Sequence, residues 1–159
     1  MQAVAVKQEW MSLVAAGRHV DRSVEELLAL EGKRSYRRGF PARHRVNGRA
    51  VVSRPEFETW AVEAGLVTPD GDVLVGYEDI AILLDVAVQT VRIWERDRKA
   101  NILLHGAADE SDIPNPVDVY WSTGASGRVM YRKRDIVQWD RTIRRRATGR
   151  YRKKFHARS

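Results

Sequence analysis

A chain of 159 residues with 43% apolar and 31% charged content and no cysteine has room for one ordinary domain or two small ones around a packed core. That composition excludes a disordered tail protein, a disulfide scaffold and any thiolate metal site. The net charge of +7 is unevenly placed: residues 141–159 hold nine Lys or Arg and no acid, whereas residues 1–140 hold nineteen against twenty-one Asp or Glu. A second acid-free block, residues 33–54, carries eight Lys or Arg, and two such blocks are the footprint expected of a protein that meets a polyanion.

The opening residues, MQAVAVKQEWMSLVAAG, are interrupted by Lys7, Gln8 and Glu9, and no apolar run nears the ~20 residues of a membrane span. A cytoplasmic, nucleoid-associated protein with no membrane partner is the expectation. Spacing predicts an amphipathic helix over 4–16, with Val4, Trp10, Met11 and Val14 inward and Gly17 as its stop. Asp21 or Ser23 can cap a second helix, SVEELLALEG, ended by Gly32. Asn47-Gly48 between two short β-prone runs predicts a type I′ hairpin, because both central positions of that turn need positive φ. Ser53-Arg54-Pro55-Glu56 then opens a helix through Phe57 and Trp60 that ends at Gly65.

Residues 66–76, with Pro69-Asp70-Gly71, read as a linker. In the following stretch, YEDIAILLDVAVQTVRIWERD, Ile80, Ala81 and Leu84 share one face of a helix. Asp85-Val86-Ala87 makes a turn, and Val91 and Trp94 face back from a second helix. This is a helix-turn-helix pattern with small Ala81 at the crossing. The outer face of the second helix carries Gln89, Arg92 and Arg96, side chains able to reach base edges and phosphates.

Through Ala81, Leu84, Val86, Thr90, Val91 and Trp94 the chain resembles winged helix-turn-helix DNA-binding proteins of the MerR and phage-excisionase type. It departs from that pattern where Asp85 replaces the usual glycine of the turn and Ala87 the usual capping serine. The resemblance implies a wing after the helix pair, a double-stranded DNA partner, and a role as regulator or excisionase-like architectural factor of a phage or mobile element. Self-association, or a recombinase or polymerase partner, would go with such a role.

Beyond the motif, alternation in 117–121 and 128–131 predicts a second hairpin, followed by a helix through Ile136, Trp139 and Ile143 and then the basic tail. Gly48-Arg49-AVVSRPEFETW aligns without a gap on Gly127-Arg128-VMYRKRDIVQW, 79 residues later, pairing Phe57 with Ile136 and Trp60 with Trp139. Phe40-Pro41 likewise answers Ile113-Pro114. The helical halves align poorly: Val24 to Leu30 match Tyr77 to Leu84 loosely, and 33–38 is short and charged for a second helix.

The expected fold is therefore α+β and mainly helical, two tandem winged helix-turn-helix modules each with a β-hairpin wing, the first degenerate. The expected boundaries are 1–65 and 77–145 for the modules, 66–76 for the linker and 146–159 for the tail. Arg37, Arg38, Arg43, Arg45 and Arg49 in the first copy, and Arg128, Arg132 and Lys133 in the second, are candidate wing contacts. Arg144, Arg145, Arg146, Arg150, Arg152, Lys153 and Lys154 are candidate phosphate contacts of the tail.

Three tryptophans, Trp60, Trp94 and Trp139, sit on apolar helix faces and read as core. Gly124-Ala125-Ser126-Gly127 has the spacing of an RNA-clamping loop, and a hairpin turn accounts for it better. His19, His44, His105 and His156 are scattered, and Asp109, Glu110 and Asp112 lack the spaced oxygens of a calcium loop. The reading is a non-enzymatic, sequence-specific double-stranded DNA binder without cofactor or metal. A DNA-packaging recognition subunit and an RNA-binding protein using its arginine-rich tail are the alternatives, with a nuclease behind them.

Overall fold

The computed structural model describes residues 9–117 and 128–144. It is α+β, about half helical, with small antiparallel sheets, and no described helix is long and apolar enough to cross a membrane. The described residues form two compact units, 9–73 and 74–117 with 128–144, each with its own core.

The first unit begins with a strand, β1 (Trp10–Ser12), where a helix over 4–16 was expected. The reason is Ser12, whose Oγ accepts from the Ala15 N–H at 3.1 Å and caps a helix that can start only after it, α1 (Leu13–His19). Met11 is consequently buried while Trp10 and Val14 are exposed, the reverse of a common helical face, and Val4 lies outside the described residues. Gly17 does not stop α1. It lies within the helix, where an added Cβ would come to 2.4 Å from the Arg22 carbonyl oxygen, because the Arg22 N–H donates to the Gly17 carbonyl at 2.7 Å.

After Asp21, at φ 56°, Ser23 and Glu26 complete a capping box for α2 (Val24–Gly32), which buries Leu27 and Leu30. A single turn, α3 (Arg34–Arg37), buries Tyr36. The Asn47-Gly48 hairpin forms as expected, with φ of 51° and 76°, joining β2 (His44–Val46) to β3 (Arg49–Ser53). β3 is central in a three-stranded sheet, pairing with β1 through Met11 and Val52. Ser53 caps α4 (Arg54–Glu63), whose Phe57, Trp60 and Ala61 fill the core. The Trp60 indole N–H is satisfied by the Tyr36 carbonyl at 2.9 Å.

The expected linker, 66–76, is folded structure. Leu66, Val67 and Thr68 are buried in the first unit, the Thr68-to-Gly71 turn is closed by a 2.9 Å bond, and Leu74 and Val75 form β4 (Leu74–Val75) of the second unit. The Pro-Asp-Gly signal marks this tight turn and not a flexible tether.

In the second unit β4 leads into α5 (Tyr77–Leu84) and then α6 (Val88–His105), with Asp85 at φ 54° as the left-handed cap between them. The strand β5 (Tyr131–Arg132) pairs antiparallel with β4, and α7 (Lys133–Trp139) follows, running into a π-helical turn, Asp140–Arg144. Val91, Ile113, Tyr131, Ile136 and Trp139 lie in its core. Of the expected second hairpin, the described part is the bond from the Val117 N–H to the Met130 carbonyl at 2.8 Å; the stretch 118–127, with Gly124 to Gly127, lies outside the described residues.

The helical halves of the two units correspond in a way the sequence alignment missed. Ser12 and Gly76 both begin a first helix, Gly17 and Ala81 both sit at the crossing, Asp21 and Asp85 both take positive φ, and Ser23 and Ala87 both precede a second helix. The Arg22-to-Gly17 bond recurs as Val86 N–H to Ala81 carbonyl at 3.0 Å. The first helix of the first unit is thus α1 and its second is α2, so α2 does not match α5 and 33–38 is no second helix. The offset is 64 residues here and 79 across β3–α4 and β5–α7, so between the start of its second helix and the stretch aligned with β3 the second unit has fifteen more residues, part of them in the longer α6.

Candidate nucleic-acid interface

The core side of α6 is set by Val91, Glu95 and Arg98, which are buried, and its opposite side by Gln89, Arg92, Arg96 and Lys99, which are exposed. Three to four residues separate successive members of the outer stripe, so it runs along one side of the helix for about 15 Å. Gln89, Arg92 and Arg96 are brought together as expected, and Lys99 extends the stripe. No acid occupies the first turn. Asp97 lies 3.6 Å from Arg96, and both are largely exposed, so the pair is weak and the guanidinium remains available.

Trp94 is half-buried against the core, edge-to-face with Trp139 at 5.2 Å, as its packing role requires. The Trp139 indole N–H donates to the Ser111 carbonyl at 3.2 Å, and its partner in the repeat, Trp60, makes the same kind of bond. Arg144 does not lead a free tail. Its Nε donates to the buried Asp140 carboxylate one helical turn back, and its guanidinium lies 5.5 Å from the centre of the Trp94 ring. A buried carboxylate needs a partner, which is the physical reason the side chain is committed to the fold. Arg145, Arg146, Arg150, Arg152, Lys153 and Lys154 lie outside the described residues.

Around the second closing strand, Arg128 is exposed and Arg132 and Lys133 are half-buried, and all three interact with other groups of the protein. In the first unit Arg37, Arg38, Arg43, Arg45 and Arg49 are all exposed, yet they do not form one basic face. The register pairs Arg45 with Ala50 and Val46 with Arg49, which puts Arg45 and Arg49 on opposite faces of the hairpin. Arg37 donates to the Gly32 carbonyl at 3.4 Å, and Arg43 to the Glu31 carboxylate at 3.5 Å. The first unit's second helix, α2, carries Glu25 and Glu26 where α6 carries Gln89 and Thr90, and Leu28 in place of Arg92.

Sequence reasoning missed a buried polar cluster on the inner face of α6. The Glu95 carboxylate accepts from Arg98 Nε at 3.0 and 3.2 Å, from a second Arg98 nitrogen, and from the Tyr131 hydroxyl. The remaining Arg98 nitrogen donates to the Asn115 side-chain oxygen at 3.0 Å. Glu95, Arg98 and Tyr131 are 2%, 7% and 0% exposed, so this is a desolvated network with all of its donors met.

The hydrogen bond to Glu95 raises the Arg98 pKa, burial followed by the Glu95 bond holds the Tyr131 phenol far above its usual range, and burial raises that of Tyr77. A signal existed in the sequence: Glu95 and Arg98 continue the inward stripe of Val91 at i+4 and i+7.

The acidic loop is self-contained, with Asp112 accepting from the Asn101 side chain and the Asp109 N–H, each at 2.8 Å, and Asp109 accepting from Ser111. No cluster of three metal-ligating side chains occurs among the described residues. Set against family models, curated proteins and solved structures, the chain matches none.

Proposed function

We propose that this chain is a sequence-specific double-stranded DNA-binding protein of two winged helix-turn-helix modules, similar in plan to MerR and excisionase proteins, in which the second module reads bases. The observation that carries this reading is the outer stripe of α6, Gln89, Arg92, Arg96 and Lys99, presented by a helix pair whose turn is fixed at Asp85 and Val86. Arginine can bond guanine bidentately and glutamine can do the same with adenine, while a lysine one turn further along suits phosphate. Glu95, which stands between Arg92 and Arg96 in sequence and would oppose phosphate if exposed, is turned inward and paired.

The first module contributes through its hairpin and not through α2, whose Glu25 and Glu26 repel phosphate. Because Arg45 and Arg49 lie on opposite hairpin faces, one of them contacts DNA and the other does not. The residues after Arg144 form a sequence-independent phosphate arm, since they are rich in cations and hold no acid. The role is occupancy and bending, as regulator or architectural factor.

The test is competition among duplex DNA, structured RNA and single strands with the full chain, magnesium being present to expose cleavage, followed by selection from random duplex. Arg92→Ala should cost about 1–3 kcal/mol of cognate binding and relax one position of the selected site, with melting unchanged. Preference for RNA, or a selected sequence that Arg92→Ala leaves intact, would overturn the reading.

A further inference from the structure

The buried cluster lies on the same helix as the proposed reading stripe, and its outer partners come from two other places in the chain. Asn115 precedes Val117, whose N–H bonds the Met130 carbonyl, and Tyr131 directly follows Met130. Arg98 and Glu95 therefore tie α6 to both sides of the Val117–Met130 pairing at once. We infer that Glu95, Arg98, Asn115 and Tyr131 are positioning residues that lock the rotation of α6 about its axis to that pairing. Arg92, Arg96 and Lys99 then address a duplex together with the basic residues from Arg128 to Lys133. The inference rests on the DNA-binding reading above.

The physical case starts from direction. Apolar packing around a helix is non-directional, so Val91 and its neighbours tolerate small rotations of α6 that carry the outer side chains away from base edges. A reading constellation must be held within about 10–20° of its working geometry, and rotamers locked by buried hydrogen bonds are what supply that. A carboxylate that accepts two arginine nitrogens and a phenol is strongly directional. Glu95 is adjacent to Arg96 and one turn from Arg92, so fixing its azimuth fixes theirs.

Stability alone does not account for the cluster, because a buried ion pair is commonly no better for stability than apolar groups of the same volume. The first unit repeats the arrangement in weaker form: Glu31, 64 residues before Glu95, reaches Arg43 just ahead of β2 at 3.5 Å.

The experiment uses the full chain and the duplex that the wild type selects from a random library. Glu95→Leu, Arg98→Met and Tyr131→Phe together replace the network by apolar groups of similar size, and the product should melt at or above the wild-type temperature. Its affinity for the selected duplex should nevertheless fall by ~10-fold or more, the order of one lost bidentate contact. Its slope of log affinity against log salt should flatten by at least about 0.9, one phosphate contact, because α6 and the basic residues beside the Val117–Met130 pairing no longer engage the duplex together.

Asn115→Ala and Tyr131→Phe, each removing one hydrogen bond, should move affinity and slope the same way by less, and they decide the matter should the triple variant not fold. Folded variants with wild-type affinity and slope would overturn the inference, as would an affinity loss that only follows lowered melting with the slope unchanged. A wild type that selects no duplex would overturn the DNA-binding reading, and this inference with it. Selection by the wild type with unaffected variants would overturn this inference alone.

Discussion

The two units share a backbone plan and differ in what they present on it. Strand, helix, left-handed aspartate and second helix follow in the same order at an offset of 64, and strand and tryptophan helix again at 79. Yet α2 shows Glu25, Glu26 and Leu28 where α6 shows Gln89, Thr90 and Arg92, and Gly32 ends α2 at nine residues where Arg96 stands in an α6 of eighteen. The repeat therefore specifies a scaffold, and the surface of the second helix decides what each copy can meet. The same holds inside: Glu31 and Glu95 occupy one helix position, the first a third exposed and bonded to Arg43, the second buried and shared by Arg98 and Tyr131.

That last contrast can be broken most forcefully by removing each glutamate in turn. Glu95→Ala leaves the Arg98 guanidinium buried without its counter-charge, a change that costs about 3–5 kcal/mol. Glu31→Ala removes an exposed pair of the kind that contributes about 0–1 kcal/mol. Hydrogen exchange by mass spectrometry should show protection lost across α5 and α6 in the first variant with α1 and α2 unchanged, and almost no change anywhere in the second. Similar losses in both would mean that the two positions are energetically alike and that the burial contrast is unimportant.

The same network ties the stability of the second unit to alkali. Tyr131 stays a phenol in the fold because burial and the neighbouring Glu95 raise its pKa, while in the unfolded chain it titrates near its ordinary value of about 10. Its folded pKa being the higher one, the stability it contributes is complete below about pH 10 and is lost as pH rises beyond that toward the folded value. Melting followed from pH 8 to 11 should show the second unit falling away above about pH 10, and Tyr131→Phe should flatten that fall.

Much of this comparison was legible in the sequence where a local signal had a single geometric meaning. Asn47-Gly48 demanded positive φ twice, Ser53 with Pro55 opened a helix, and Val91 and Trp94 marked an inward face, and each is found so. The three-residue strand β1 could not be read, because Trp10-Met11-Ser12 is too short to show a period and takes its conformation from Val52 across the sheet. The match between α1–α2 and α5–α6 was hidden by fifteen extra residues that shift the offset, and by Gly17, which reads as a helix stop but serves close approach. The exposed stripe of Gln89, Arg92 and Arg96 was visible by periodicity. Its buried counterpart was hidden, since charge at Glu95 and Arg98 conflicts with the apolar pattern that marks an inward face.

Gly17 and Ala81 offer a sharper test of how alike the two turns are. At Gly17 a methyl group would meet the Arg22 carbonyl at 2.4 Å, and since that atom is backbone, the turn itself has to move. Gly17→Ala should therefore destabilise the first unit by about 1–3 kcal/mol, the range for overpacking. Ala81→Gly should cost the second unit about 1 kcal/mol, through helix propensity alone. Chemical denaturation of both variants checks this, and a neutral Gly17→Ala would show that the first turn relaxes to the wider geometry of the second, with its 3.0 Å bond in place of 2.7 Å.

The smallest effect concerns the position at which the units agree. Asp85 ends α5 at φ 54° and ψ 53°, a left-handed conformation that costs an L-residue about 1–2 kcal/mol and that aspartate tolerates better than most. Its charge also sits at the negative end of the helix dipole, an opposition of about 0.3–1 kcal/mol at an exposed site. Glycine relieves both, at an entropic cost of about 0.5–1 kcal/mol on folding. Asp85→Gly should thus stabilise the second unit by about 0.5–1 kcal/mol, read as a rise in the denaturation midpoint at constant slope. Asp21, in the same place in the first unit, also engages another group of the protein, so Asp21→Gly should gain less. Because Asp85 stands at the turn just before α6, the helix proposed to read bases, the variant should bind duplex as tightly as the wild type or more so. Destabilisation by Asp85→Gly would mean that its side chain, and not its backbone conformation, holds the turn, and the equivalence of the two aspartates would then be one of geometry without shared energetics.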